Sequence, residues 1–117
     1  MSHLITAQND RNEDVARLEI GMSGPRRLAK TGFDLYAAYK AWHLNGGPSG
    51  KGDGVEVDAQ TAWNAHDKAV QWAKKLWRNA PPSDTGRYSL INADDVLNFT
   101  LAVYRAAERE KVFVRFA

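Results

Sequence analysis

No cysteine occurs among the 117 residues. Disulfides, thiolate zinc sites, iron–sulfur clusters and cysteine nucleophiles are therefore excluded, and a reducing cytoplasm is the expected setting. Long apolar runs are missing as well, since no stretch approaches the ~20 residues that cross a bilayer. The N-terminal MSHLITAQNDRNED has no basic region followed by an apolar run, so no secretory signal is expected there. A net charge of +2 is too small to act as a field over the whole molecule.

Catalytic constellations are also lacking. Asp94 and Asp95 are adjacent but belong to a helix start, where the dipole already favours acids. No carboxylate pair has the isolated apolar setting that raises a pKa for acid–base work, and no serine lies in a nucleophile elbow. His3, His43 and His66 are too far apart in sequence to place two ligands on one helix face. No metal and no other cofactor is expected. The segment Gly46-Gly47-Pro48-Ser49-Gly50-Lys51-Gly52 looks like a phosphate-binding loop, but one spacer is missing and Gly52 stands where a hydroxyl is required. It reads as a flexible connection.

What is present is a core-forming composition, 44% apolar, in a length that suits one domain spanning residues 1–117. The dominant stretch is Asp58 to Asn79. On a helical wheel Ala59, Ala62, Trp63, His66, Ala69, Val70, Ala73, Leu76 and Trp77 share one face, and Gln60, Asn64, Asp67, Lys68, Gln71, Lys74, Lys75 and Arg78 share the other. Asp58 is placed to cap the helix start, and alanines at 62, 65, 69 and 73 would let it approach its neighbours closely.

Around this helix the pattern predicts three more. Residues 1–10 read as a loose arm or edge strand. From Asp10 a short helix places Val15, Leu18 and Met22 on one face. Pro25 opens a second helix to about His43, with Leu28, Gly32, Leu35, Tyr39 and Trp42 as its seam. Residues 45–57 hold five of the nine glycines and form a loop, in which Val55 and Val57 alternate as a short strand. Asn92 caps the last helix, with apolar residues over more than half its circumference. The tail KVFVRFA alternates as a strand, with Leu4–Thr6 or Tyr88–Ile91 as its partner. The expected fold class is therefore mainly α. It is a compact bundle of three long helices and one short N-terminal helix, with at most a small β-ribbon at the termini. The expected core includes Leu28, Leu35, Tyr39, Trp42, Trp63, Val70, Trp77, Val96, Val103 and Tyr104.

For a binding surface the basic side of the long helix stands out. Residues 61–80 carry Lys68, Lys74, Lys75 and Arg78 against Asp67. Trp72 falls off the main apolar face, with Lys68 four residues before it and Lys75 three after, a spacing that sets both cations beside the indole. Arg26, Arg27 and Lys30 form a secondary basic cluster. The function these features favour is a small cytoplasmic protein-binding module that covers a surface on another protein. By association, small cysteine-free domains of this kind are common among phage and mobile-element inhibitors of host or defence proteins. The alternative is nucleic-acid binding by the same residues, pairing phosphates and stacking a base. An enzyme with His66 or His43 in a pocket between helices ranks last. On the first reading, loss of Trp72, or charge reversal at Lys74 and Lys75, abolishes binding and spares the fold.

Overall fold

A computed structural model describes residues 3–20, 28–30, 32–41, 54–79 and 87–116. The N-terminal segment is a β-hairpin. Strands β1 (His3–Gln8) and β2 (Asp14–Ile20) pair antiparallel, with Ile5 opposite Leu18 and Ala7 opposite Ala16. Asn9 makes the turn between them. Its side-chain carbonyl accepts the backbone N–H groups of Arg11 and Glu13, both at 3.0 Å. Asn12 takes a positive φ of 62°, which Asn tolerates better than most residues. Side chains then alternate along β2. Ala16, Leu18 and Ile20 are buried, while Arg17 and Glu19 face solvent.

The last strand, here β4 (Val112–Phe116), lies beside β1, with Ile5 opposite Phe116 and Ala7 opposite Val114. Its other edge takes β3 (Val55–Val57), with Val57 opposite Val112. Gly54, at φ +74°, leads into β3 so close to β4 that a Cβ there would stand 3.1 Å from the Arg115 Cγ. The result is a four-stranded, all-antiparallel sheet in the order β2-β1-β4-β3.

Two long helices and one short one cover the apolar face of the sheet. Helix α1 (Leu35–Ala38) is capped by Asp34, whose carboxylate accepts the Ala37 N–H at 3.2 Å. Tyr36 of this helix stacks on Phe116 at 4.4 Å between ring centroids. Helices α2 (Ala59–Asn79) and α3 (Arg87–Ala107) pack on each other, and α3 also lies across β2. The core between sheet and helices holds Val96, Phe99 and Val103 with Ile5, Leu18, Val112 and Val114. Tyr39 is fully buried there, edge-on to Phe99, and its hydroxyl has no hydrogen-bond partner among the described residues. Burial drives this phenol far above its ordinary value.

The mainly-α bundle is thus corrected to a two-layer sheet-and-helix fold with two long helices. The short helix from Asp10 is strand β2, and residues 3–8, expected as an arm or an edge strand, are an inner strand. The long helix expected from Pro25 is broken. Gly32 turns the chain at φ +117°, only four residues then form α1, and Lys40 ends it at φ +56°. Asn92 lies inside α3, which already runs from Arg87, so Tyr88–Ile91 is helical and β4 pairs with β1 and β3. Asp58 does cap α2, accepting the Thr61 N–H at 2.7 Å. Pro25, Arg26, Arg27, Trp42, His43 and the loop 46–52 lie outside the described residues.

The phase of α2 differs from expectation. Its buried stripe is Ala62, Ala65, Ala69, Trp72 and Ala73, and Trp63 and Trp77 are each 45% exposed. At 100° per residue this stripe is turned by roughly 70° from the predicted face. The alanines decide it, because they let α2 close on α3 where an indole would hold the helices apart. Val70 and Tyr104, also expected in the core, sit at its edge. Overfilling the seam tests the phase. Ala69→Leu is expected to lower the unfolding free energy in urea by about 1–3 kcal/mol, whereas Lys74→Leu on the solvent side stays within about 0.5 kcal/mol.

Candidate functional site

Because alanines fill the inner side of α2, its outer side is a broad solvent face. Asn64, Asp67, Lys68, Gln71, Lys74, Lys75 and Arg78 are all exposed there. The ion pairs among the described residues join Arg11 to Glu13 and Glu110, and Arg17 to Glu19. The four cations of α2 therefore have no carboxylate partner among those residues. Trp63 and Trp77 flank this face along one edge. They are fourteen residues apart, close to four full turns, so both point to the same side about 21 Å from each other.

Trp72 stands elsewhere. It is 6% exposed and stacks on Phe33, with ring centroids 5.7 Å apart and planes 27° from parallel. Gly32 gives it room, since a Cβ at that position would lie 3.4 Å from the indole Cδ1. Lys68 and Lys75, expected beside this indole, share a groove with it. All three line a groove of about 570 Å³ between α2 and residues 32–38, whose floor is Phe33 and Trp72. Asp34 and Asp67 stand on the same rim, which leaves the groove balanced in charge. Trp72 is a packing residue that closes the bottom of this groove, and it does not project to meet a partner.

Of the residues singled out from sequence, Lys68 and Lys75 thus belong to the groove. Lys74 and Arg78 lie further round the helix, toward Trp77. Lys30 is exposed, and Arg26 and Arg27 of its cluster are not described. Trp63 and Trp77 were assigned to the core although Ala65 and Trp72, left off that face, carried the signal. A stripe centred on Ala62, Ala65, Ala69 and Ala73 runs beside Trp72 and leaves Trp63 and Trp77 outside.

His66 is half-buried beside Trp63. Its Nδ1 lies 2.9 Å from the Thr100 hydroxyl, which itself donates to the Leu97 carbonyl at 3.2 Å. The hydroxyl has one proton to give, so it accepts from His66, and Nδ1 carries the ring proton. Burial holds this imidazole below its ordinary value, and Asp67 opposes the shift. The partner is a threonine hydroxyl on α3, in keeping with a histidine whose role is packing. Among the described residues no cluster of His, Asp and Glu is arranged to hold a metal ion. No described helix is long and apolar enough to cross a membrane.

No family model, no curated protein and no solved structure matches the chain. The surface of α2 is accordingly read from its own geometry.

Two measurements check these assignments. Trp72→Ala should lower the unfolding free energy by about 3–5 kcal/mol, so any loss of binding it causes reports unfolding. For His66, the unfolded chain takes up a proton more readily than the folded one, because the folded value is depressed below 6.5. Stability should then fall as pH drops through that ordinary value and level off below the depressed one. His66→Gln, followed by urea midpoints across the same pH range, should remove this part of the slope.

Proposed function

We propose that the chain is a cytoplasmic protein-binding module that covers a surface on a partner protein with the solvent face of α2. The observation that carries the reading is the pair of half-exposed tryptophans on one edge of the helix. Indoles are favoured anchors at protein interfaces, because each buries a large rigid area with few torsions to freeze. Lys74 precedes Trp77 by three residues and Arg78 follows it, so acidic groups of the partner are matched at that end. Trp72, Lys68 and Lys75 contribute the neighbouring groove. The absence of cysteine fits a reducing compartment. A partner drawn from host or defence machinery, as with phage and mobile-element inhibitors, is part of this reading by association alone.

A second reading, nucleic-acid binding, is favoured by the four cations of α2, which have no carboxylate partner among the described residues, with Lys74 and Arg78 next to the exposed Trp77. It demands an affinity that falls steeply with salt.

Affinity capture from a cell lysate, with and without nuclease, separates the two. On the protein-binding reading one protein is retained in both conditions. It is lost with Trp63→Ala/Trp77→Ala and with Lys74→Glu/Arg78→Glu, while circular dichroism shows each variant folded. Retention that disappears with nuclease supports the second reading, and retention unchanged in both variants removes α2 as the contact surface.

A further inference from the structure

Trp63 stands at a corner where α2 meets the end of α3. Its ring centroid is 5.1 Å from that of Tyr104, with 57° between the planes. Together with Ala59 and Gln60 the two rings line a recess of about 260 Å³. That is smaller than the ~300–1,000 Å³ of sites for cofactor-sized ligands, and it suits a single side-chain head group.

The surroundings select the charge of that group. Both rings present electron-rich faces, which attract cations. Glu108 follows Tyr104 by one turn, its backbone N–H donating to the Tyr104 carbonyl at 3.1 Å. The spacing of four residues sets its side chain beside Tyr104, whose phenol is raised chiefly by a hydrogen bond to the Glu108 side chain, and that carboxylate is joined to no cation among the described ion pairs. The arginines of the same stretch, Arg105 and Arg109, line a different recess with Val15 and Glu110. We propose that this corner receives an arginine side chain of the partner protein, its guanidinium laid on the Trp63 ring and paired with the Glu108 carboxylate. A guanidinium is planar, weakly hydrated and forked, so one group satisfies the indole and the carboxylate together. A lysine ammonium is a compact, strongly hydrated charge and gains less from the ring.

The inference rests on the protein-binding reading of α2 and gives that surface a direction. The partner places an arginine at the Trp63 end and acidic groups at the Trp77 end.

The test titrates N-acetyl-arginine N-methylamide into the ¹⁵N-labelled protein and follows the Trp63 indole N–H, assigned with Trp63→Phe. The expected result is a saturable shift of that signal and of the Tyr104 ring, absent with the uncharged citrulline analogue. Glu108→Gln, which leaves the rings in place, should weaken binding by up to about fivefold. Trp63→Leu should weaken it by about two- to fivefold. An equal response to citrulline, full affinity in Glu108→Gln, or an unmoved Trp63 signal overturns the proposal. The two readings fail separately. If capture needs Trp63 but arginine leaves its indole unmoved, the corner is wrong and the α2 surface stands. If arginine binds and capture is indifferent to both tryptophans, the corner stands as a cation site and the α2 surface falls.

Discussion

The pairing of β4 with β1 is the interaction on which the rest depends. It joins residues 5–8 to residues 113–116 and makes these two the inner strands. The hairpin β1–β2 reaches the remainder of the sheet only through β4, and so does β3. Phe116, opposite Ile5, also seats Tyr36 and so anchors α1. Helix α3 then lies across β2 and presents its other side to α2. The broad apolar girth of α3 follows from having neighbours on both sides. Phe99 and Val103 are buried in the core, while Thr100 meets His66.

Helix α2 is the outer member of this arrangement, and its broad exposed side follows from the residues that hold it. An alanine seam has little area to bury. Such a helix comes close to its partner and leaves its large side chains at the rim, half-exposed to solvent. Trp63 and Trp77 are large apolar groups in that position, and Trp72 is the indole the fold retains for itself. The chemistry along the rim is uneven, with Tyr104 and Glu108 near one tryptophan and Lys74 and Arg78 near the other.

Local chemistry was legible in the sequence. The Asp58 cap, the Val55–Val57 strand and the terminal strand at Val112–Phe116 all depend on a few adjacent residues, and all are present. What sequence left hidden depends on distant partners. Val15, Leu18 and Met22 have helical spacing, while Ala16, Leu18 and Ile20 have strand spacing, and so short a segment satisfies both. The choice falls to Asn9, which takes up the turn N–H groups, and to β1, which supplies a strand to pair with. Gly32 falls in the seam expected for the helix from Pro25, while in the fold its freedom of φ is used to end a helical segment. The solvent face of the long helix was expected to carry Trp72, whereas Trp72 is buried and Trp63 and Trp77 stand half-exposed at its edge. A wheel shows which residues share a side but not which side the neighbouring helix will take.

The placement of β4 also sets the timing of folding. An inner strand of the sheet, β4, stands about a hundred residues along the chain from its partner β1. Until β4 is in place, the hairpin and β3 have nothing to bridge them, and the inner edge of β1 stays open to pairing with other chains. Contacts between the two ends of so long a segment are of high sequence separation, which slows folding at equal stability. Closure of the sheet therefore waits on this one long-range pairing, which joins both halves of it.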